Sequence, residues 1–175
     1  MNYIFLDNRF EEMEAITVID LLRRANIAIT TVSVTGSDHV HGAHGVDVVA
    51  DKCFDDCHFD DVEALILPGG QTHLDQHKGL CDLLLAHNAK NGLIAAICAA
   101  PAVLGKLGIL EGKQATCYPG FEGPLGESFV GGLVVESHNI ITGKGPGLSS
   151  DFAFSLIEHL ASPEVADEVY DKAQF

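Results

Sequence analysis

Cys98 stands between an apolar run and Pro101 in the segment GLIAAICAAPAVL, residues 92–104, and that spacing suits a nucleophile. The apolar run predicts a buried strand. Proline fixes φ and lacks an N–H, so it is accommodated in a helix's first turn, while the residue before it is pushed out of the α region. A helix starting near Pro101 leaves Cys98 at the strand's end. There, unpaired N–H groups and the positive end of the helix dipole favour thiolate over thiol. Ala95, Ala96, Ala99 and Ala100 add little bulk and keep the sulfur approachable. The same segment also fits a cysteine that simply packs, since free cysteine is among the most buried residue types.

Two further groups can serve such a thiol. ALILPGG, residues 64–70, reads as a second buried strand ending in Gly69 and Gly70. Glycines there let backbone N–H groups turn toward a ligand, as an oxyanion hole requires, although a plain turn explains Pro and Gly equally well. Glu11, Glu12 and Glu14 lie at a helix start, where carboxylates suit the dipole and are ordinarily solvated. Glu14 does not share the face of Glu11 cleanly and can point inward at the strand ends. A carboxyl beside a thiolate tends to hold its proton and to donate it in a hydrogen bond to sulfur.

Other clusters carry less. Cys53, Cys57 and His58 lie among Asp51, Asp55, Asp56, Asp60 and Asp61 and superficially resemble a metal site. Their spacing is not that of a zinc knuckle, so no metal is expected. His39, His41 and His44 read as a polar loop or subunit contact. P-loop, G-x-G-x-x-G and G-x-S-x-G motifs are absent, which leaves nucleotide cofactors and serine hydrolysis without support.

The elements that must position these groups follow from periodicity. Strands are predicted over residues 3–6, 27–34, 46–50, 64–67, 93–97 and 114–117, with a loop over 36–45 and a hairpin turning at 137–139. Helices are predicted over 11–25, through 80–87, from Pro101 to a stop at Gly105 or Gly108, over 147–160, and briefly after Pro163. Strands alternating with helices imply a parallel, doubly wound α/β sheet whose ligands sit at the carboxyl ends of strands. The 175 residues read as one domain, 1–175, able to bury a substantial core. A net charge of -15 with ten basic residues disfavours nucleic acid and anionic membrane as partners. The start, MNYIFLDNRFEE, does not read as a signal peptide, and the apolar stretch near 93–104 is too short to span a bilayer. A cytoplasmic protein with reduced thiols is expected, in keeping with five cysteines, an odd number.

Taken together, EEMEAITVIDLLRRANI, LILPGG, LIAAICAAPAVL and GKGPGLSSDFAFSLIEHL resemble the ThiJ/PfpI superfamily, closest to its DJ-one clade, in order across nearly the whole chain. The resemblance implies a flavodoxin-like sandwich, a mainly parallel sheet with helices on both faces, and a homodimer whose sites lie near the subunit interface. It implies that Cys98 is the oxidisable nucleophile, Glu14 its protonated carboxyl partner, and the Gly70 and Ala99 amides the anion-binding donors beside Gly69. It also implies three activities: a cofactor-free glyoxalase or deglycase acting on reactive 2-oxoaldehydes or their glycation adducts, an oxidative-stress sensor or chaperone working through Cys98 oxidation, or a cysteine peptidase or amidase. Tyr118 departs from the pattern, standing where many relatives carry a histidine. With an ordinary pKa near 10 it is a poor general base, which counts against a peptidase unless His73 or a histidine of a partner subunit fills the gap. His44 is a second departure, standing roughly where some relatives place an arginine.

Overall fold

In a computed structural model of the chain, which describes residues Met1–Phe175, the first strand, β1 (Asn2–Leu6), is buried at every position. A strand covered on both faces reads as such a continuous apolar run. It is followed by α1 (Glu12–Arg24), which carries acidic residues in its first turn and Arg23 and Arg24 in its last, matching the helix dipole. Its buried face is Ala15, Val18, Ile19, Leu21 and Leu22. β2 (Ile29–Ser33) returns parallel to β1, with Phe5 opposite Val32. A hairpin of β3 (His39–His41) and β4 (Asp47–Val49) stands outside the main sheet. Next come β5 (Lys52–Cys53), β6 (Ala64–Leu67), α2 (Lys78–Ala89), β7 (Leu93–Ile97) and α3 (Pro101–Lys106). β8 (Val134–Ser137), β9 (Ile140–Gly143), α4 (Ser149–Leu160) and α5 (Pro163–Ala173) complete the chain.

The seven-stranded sheet runs β5-β2-β1-β6-β7-β9-β8, parallel throughout except for β8. Side chains alternate between its faces. Ile4, Leu6, Ile66, Ala95 and Ile97 pack with α1, α4 and α5 in one core, while Tyr3, Phe5, Leu65, Leu67, Ile94 and Ala96 pack with α2 and α3 in the other. This is the doubly wound, flavodoxin-like sandwich that the alternation and the resemblance imply. The connections reverse direction between β1 and β6, and in such sheets the ligand crevice opens at the carboxyl ends beside that reversal. No helix is long and apolar enough to cross a membrane.

Three expectations need correction. The loop predicted over 36–45 contains β3, whose Val40 is fully buried opposite Val48. The two-residue strand β5 pairs with β2 and is too short to leave a periodic signal. The strand predicted over 114–117 does not form, and only an isolated bridge from Ala115 to Phe129 remains. There the backbone donors are satisfied one by one, Ala115 N by Ser128 O at 2.8 Å, Thr116 N by Thr142 Oγ1 at 2.9 Å and Tyr118 N by Cys98 O at 2.8 Å, so no ladder is needed.

Candidate active site

β7 ends at Ile97, and Cys98 makes one more sheet contact, its N–H donating to Gly143 O at 2.9 Å. The chain then turns so sharply that Cys98 adopts φ +65, a left-handed conformation that costs a non-glycine residue on the order of 1–3 kcal/mol. The turn is closed by Ala100 N donating to Ile97 O at 3.1 Å, and Pro101 opens α3. The sulfur is therefore held at the strand's tip by the surrounding packing. Cys98 is 8% exposed.

The glycine pair after β6 is required by contact. A Cβ on Gly69 would lie 2.7 Å from Cys98 Cβ and 2.8 Å from Glu14 Oε2. One on Gly70, which has φ +109, would lie 2.3 Å from Arg9 O. Their absence lets this loop run directly against Cys98 and the start of α1. Gly69 N donates to Glu14 Oε2 at 2.7 Å, and Glu11 N donates to Gly69 O at 3.0 Å. Glu11 also caps α1, its Oε2 accepting from Glu14 N at 2.8 Å.

Glu14 is completely buried, and its second oxygen, Oε1, has no hydrogen-bond partner. Burial raises its pKa to about 7, against the lowering influence of the Cys98 thiol and the Gly69 N–H. Cys98 is thus close enough to Glu14 to act on its ionisation as a donor, yet no well-formed hydrogen bond reaches Oε1. The thiol itself is pushed up to about 12 by burial and by the Glu14 carboxyl, opposed by the N–H groups of Ala99 and Gly70. The N–H groups act in the direction expected of a helix start, but burial and the Glu14 carboxyl act against them and are larger. α3 has only six residues, and its dipole cannot offset a buried carboxyl beside the sulfur. The remaining four cysteines are raised as well, all principally by burial. The chemistry belongs to the pair: Glu14 and Cys98 together hold two protons below about pH 7 and one above it.

The structure thus places Cys98, Glu14, Gly69, Gly70 and Ala99 together at the carboxyl ends of β6 and β7. Tyr118 joins them through its backbone, while its half-exposed ring lies over Gly145, in a cleft shared with Pro119, Lys144, Pro146 and Leu148. His73 does not take up the missing histidine's place. Its N–H donates to Asp7 at 2.7 Å, and its ring faces Gln76 at 3.4 Å. His44 is pinned to α1, with Nδ1 2.9 Å from Glu12 Oε2 and its backbone N donating to Glu12 Oε1 at 2.6 Å. Glu11, Glu12 and His44 offer ligand atoms within 4.8 Å of one another, a grouping that the sequence hides because the hairpin brings His44 back across more than thirty positions. These carboxylates are already engaged, Glu11 by the α1 cap and Glu12 by the His44 and Val46 N–H groups.

The second cysteine region is not assembled in this way. Cys57 Sγ donates to Cys53 O at 3.4 Å, and Asp51 is consumed by Thr31 N at 2.9 Å and Arg23 at 3.2 Å. His41 pairs with Asp47 across its own hairpin at 2.9 Å.

Comparison with known proteins agrees with this geometry. Residues 2–159 match the model of the DJ-1/PfpI family. The chain is 38% identical over 165 residues to the protein dj-1beta of Drosophila melanogaster, covering 91% of this chain and 88% of that one. It is 31% identical over 159 residues to a glutathione-independent glyoxalase of Caenorhabditis elegans, covering 88% and 84%. The solved structure of oxidised Toxoplasma gondii DJ-1 superposes with a TM-score of 0.95 at 33% identity, over 99% of this chain and 97% of that chain.

Proposed function

The chain belongs to the DJ-1/PfpI family, and on that premise we propose that it is a cysteine-dependent, cofactor-free enzyme of the glyoxalase or deglycase type, acting on reactive 2-oxoaldehydes or their early adducts. The observation that carries the reading is the buried carboxyl of Glu14, with an unpartnered oxygen and a pKa of about 7, beside the Cys98 thiol. A proton donor and acceptor near neutral pH is what a proton shift between adjacent carbons requires.

In the reaction the Cys98 sulfur bonds to the aldehyde carbon as its proton passes to the Glu14 carboxylate. The resulting alkoxide faces the Gly70 and Ala99 N–H groups, which already act on the sulfur, until Glu14 hands it that proton. Glu14 removes the proton from that carbon and returns it to the neighbouring one through an enediol. The former aldehyde carbon is thereby oxidised to a thioester and the ketone carbon reduced to an alcohol. Water cleaves the thioester, releasing a 2-hydroxy acid and regenerating the thiol. No external oxidant or reductant enters the balance of this sequence. Tyr118 stands in place of a histidine and the His73 ring faces Gln76, which weighs against a peptidase or amidase unless a partner subunit supplies the imidazole.

The same amides and the free Glu14 oxygen suit a second reading, in which Cys98 is a redox sensor oxidised to sulfinate and Glu14 donates to a sulfinate oxygen. The relative from Toxoplasma gondii was solved in an oxidised form. We further propose a cytoplasmic homodimer, supported by exposed Met13 and Ile16 on α1 and exposed Val46 and Val49 on the neighbouring hairpin. Lactate formation from methylglyoxal by the purified protein, repeated with Cys98→Ser, decides between enzyme and sensor. Turnover lost in the variant supports the enzyme, and no turnover by the parent protein leaves the sensor.

A further inference from the structure

A cleft of about 380 Å³ opens from Gly70 and Ala99, the two residues whose N–H groups face the Cys98 sulfur. Ala102, Val103, Phe121 and Pro124 supply most of its apolar lining. Methylglyoxal is too small to fill a space that falls within the roughly 300–1,000 Å³ typical of sites for larger organic ligands. Phe121 is 43% exposed although it borders this apolar space, so a ligand's apolar group gains by covering it. Its position is set by the turn that also serves the nucleophile: Phe121 N donates to Tyr118 O at 3.1 Å, while Tyr118 N donates to Cys98 O at 2.8 Å. Gln71, Thr72, His73, Asp75 and Lys106 supply the polar lining, and the one lysine is paired with Asp75 at 2.7 Å, so it offers no free charge to an anionic tail.

We infer that this cleft seats a neutral apolar substituent of the substrate, with Phe121 the specificity-determining side chain. The inference rests on the glyoxalase-type reading above and narrows its substrate class to 2-oxoaldehydes bearing a bulky apolar group, aryl in the first instance. The aldehyde end stays at Cys98 and the Gly70 and Ala99 amides, and the substituent runs along α3 toward Phe121.

The test compares kcat/KM for phenylglyoxal and methylglyoxal, read as mandelate and lactate formed, in the parent protein, Phe121→Ala and Phe121→Leu. Phenylglyoxal should be preferred by at least about tenfold, the low end of what one apolar contact contributes to discrimination. Phe121→Ala should erase most of that preference, chiefly through KM, and Phe121→Leu should restore part of it. Equal use of the two aldehydes, or an equal loss for both in Phe121→Ala, overturns the inference and leaves the glyoxalase reading standing. A second arm measures binding of mandelate and lactate to Cys98→Ser by calorimetry. Tighter mandelate binding that Phe121→Ala removes supports the cleft, and equal binding overturns it, whether or not the parent protein turns over either aldehyde.

Discussion

Two regions of this molecule concentrate cysteine and carboxylate, and they end up unlike one another. Around Cys53 and Cys57 the chain supplies two thiols, a histidine and five aspartates within eleven positions, whereas Cys98 has no acidic residue within ten positions on either side. Folding inverts the contrast. Asp51 is used up tying β2 to its neighbour and to Arg23, and Cys57 donates to the Cys53 carbonyl. Cys98 instead receives Glu14 from the start of α1, Gly69 and Gly70 from the end of β6, and Tyr118 from beyond α3. Local density of reactive side chains is thus a poor guide to a site. Convergence of strand ends on one buried atom is a better one, because there desolvation and enforced contact change what the groups can do.

Substitutions at the two regions should separate them most widely in activity. Cys98→Ser should abolish 2-oxoaldehyde turnover, and Glu14→Gln should lower kcat by about 10²- to 10⁴-fold, the usual worth of general acid–base catalysis. Tyr118→Phe, which at most removes one orienting hydrogen bond, should cost about tenfold or less. If Tyr118→Phe proves the more damaging of the two, the proton-transfer role belongs to tyrosine and the Glu14 assignment falls.

Close packing at the site predicts the next effect. Gly70→Ala drives a methyl group to within 2.3 Å of Arg9 O at a backbone angle of φ +109. A destabilisation of roughly 3 kcal/mol or more is expected, since both strain and overpacking contribute. Urea denaturation measures it, and a loss below about 1 kcal/mol means that the loop is not held as tightly as described.

Glu14 should also leave a signature in the pH dependence of stability. Its native pKa lies near 7 against an ordinary value of 4.5, so between those values the folded protein keeps a proton that the unfolded chain releases. Stability contributed by the protonated carboxyl is present below about pH 4.5 and is lost as pH rises toward 7. The full loss is about 3 kcal/mol, at about 1.4 kcal/mol per tenfold change. Glu14→Gln should flatten that slope, and its stability relative to the parent should grow between pH 5 and pH 8. Cys98 alkylation should rise with pH and level off near pH 7 in the parent protein and lose that inflection in Glu14→Gln, since ionising Glu14 sets a like charge against the thiolate.

The smallest effects are expected at the other cysteine region. Cys53→Ser and Cys57→Ser should change stability by no more than about 1 kcal/mol and activity by less than about threefold, because both thiols are only partly buried and neither contacts the site. A large loss of activity in either variant would break the contrast between the two regions.

The sequence by itself determined the alternation of strands and helices, the doubly wound sheet, and the placing of Cys98 and the Gly69–Gly70 pair at the ends of adjacent strands. Apolar runs, Pro101 and paired glycines act through local backbone geometry, and local geometry is legible in a string of residues. It missed β3 and wrongly supplied a strand at 114–117, because short pairings depend on which distant backbone groups are free to accept. Only the tertiary structure decided the left-handed turn at Cys98, the complete burial of Glu14, the cleft beneath Phe121, and the ionisation of the central pair. From the sequence the thiol was expected to be acidic, since helix-start donors are visible there and burial is not. In the folded molecule desolvation and the Glu14 carboxyl outweigh those donors, because a charge taken out of water depends on everything packed around it rather than on its neighbours along the chain.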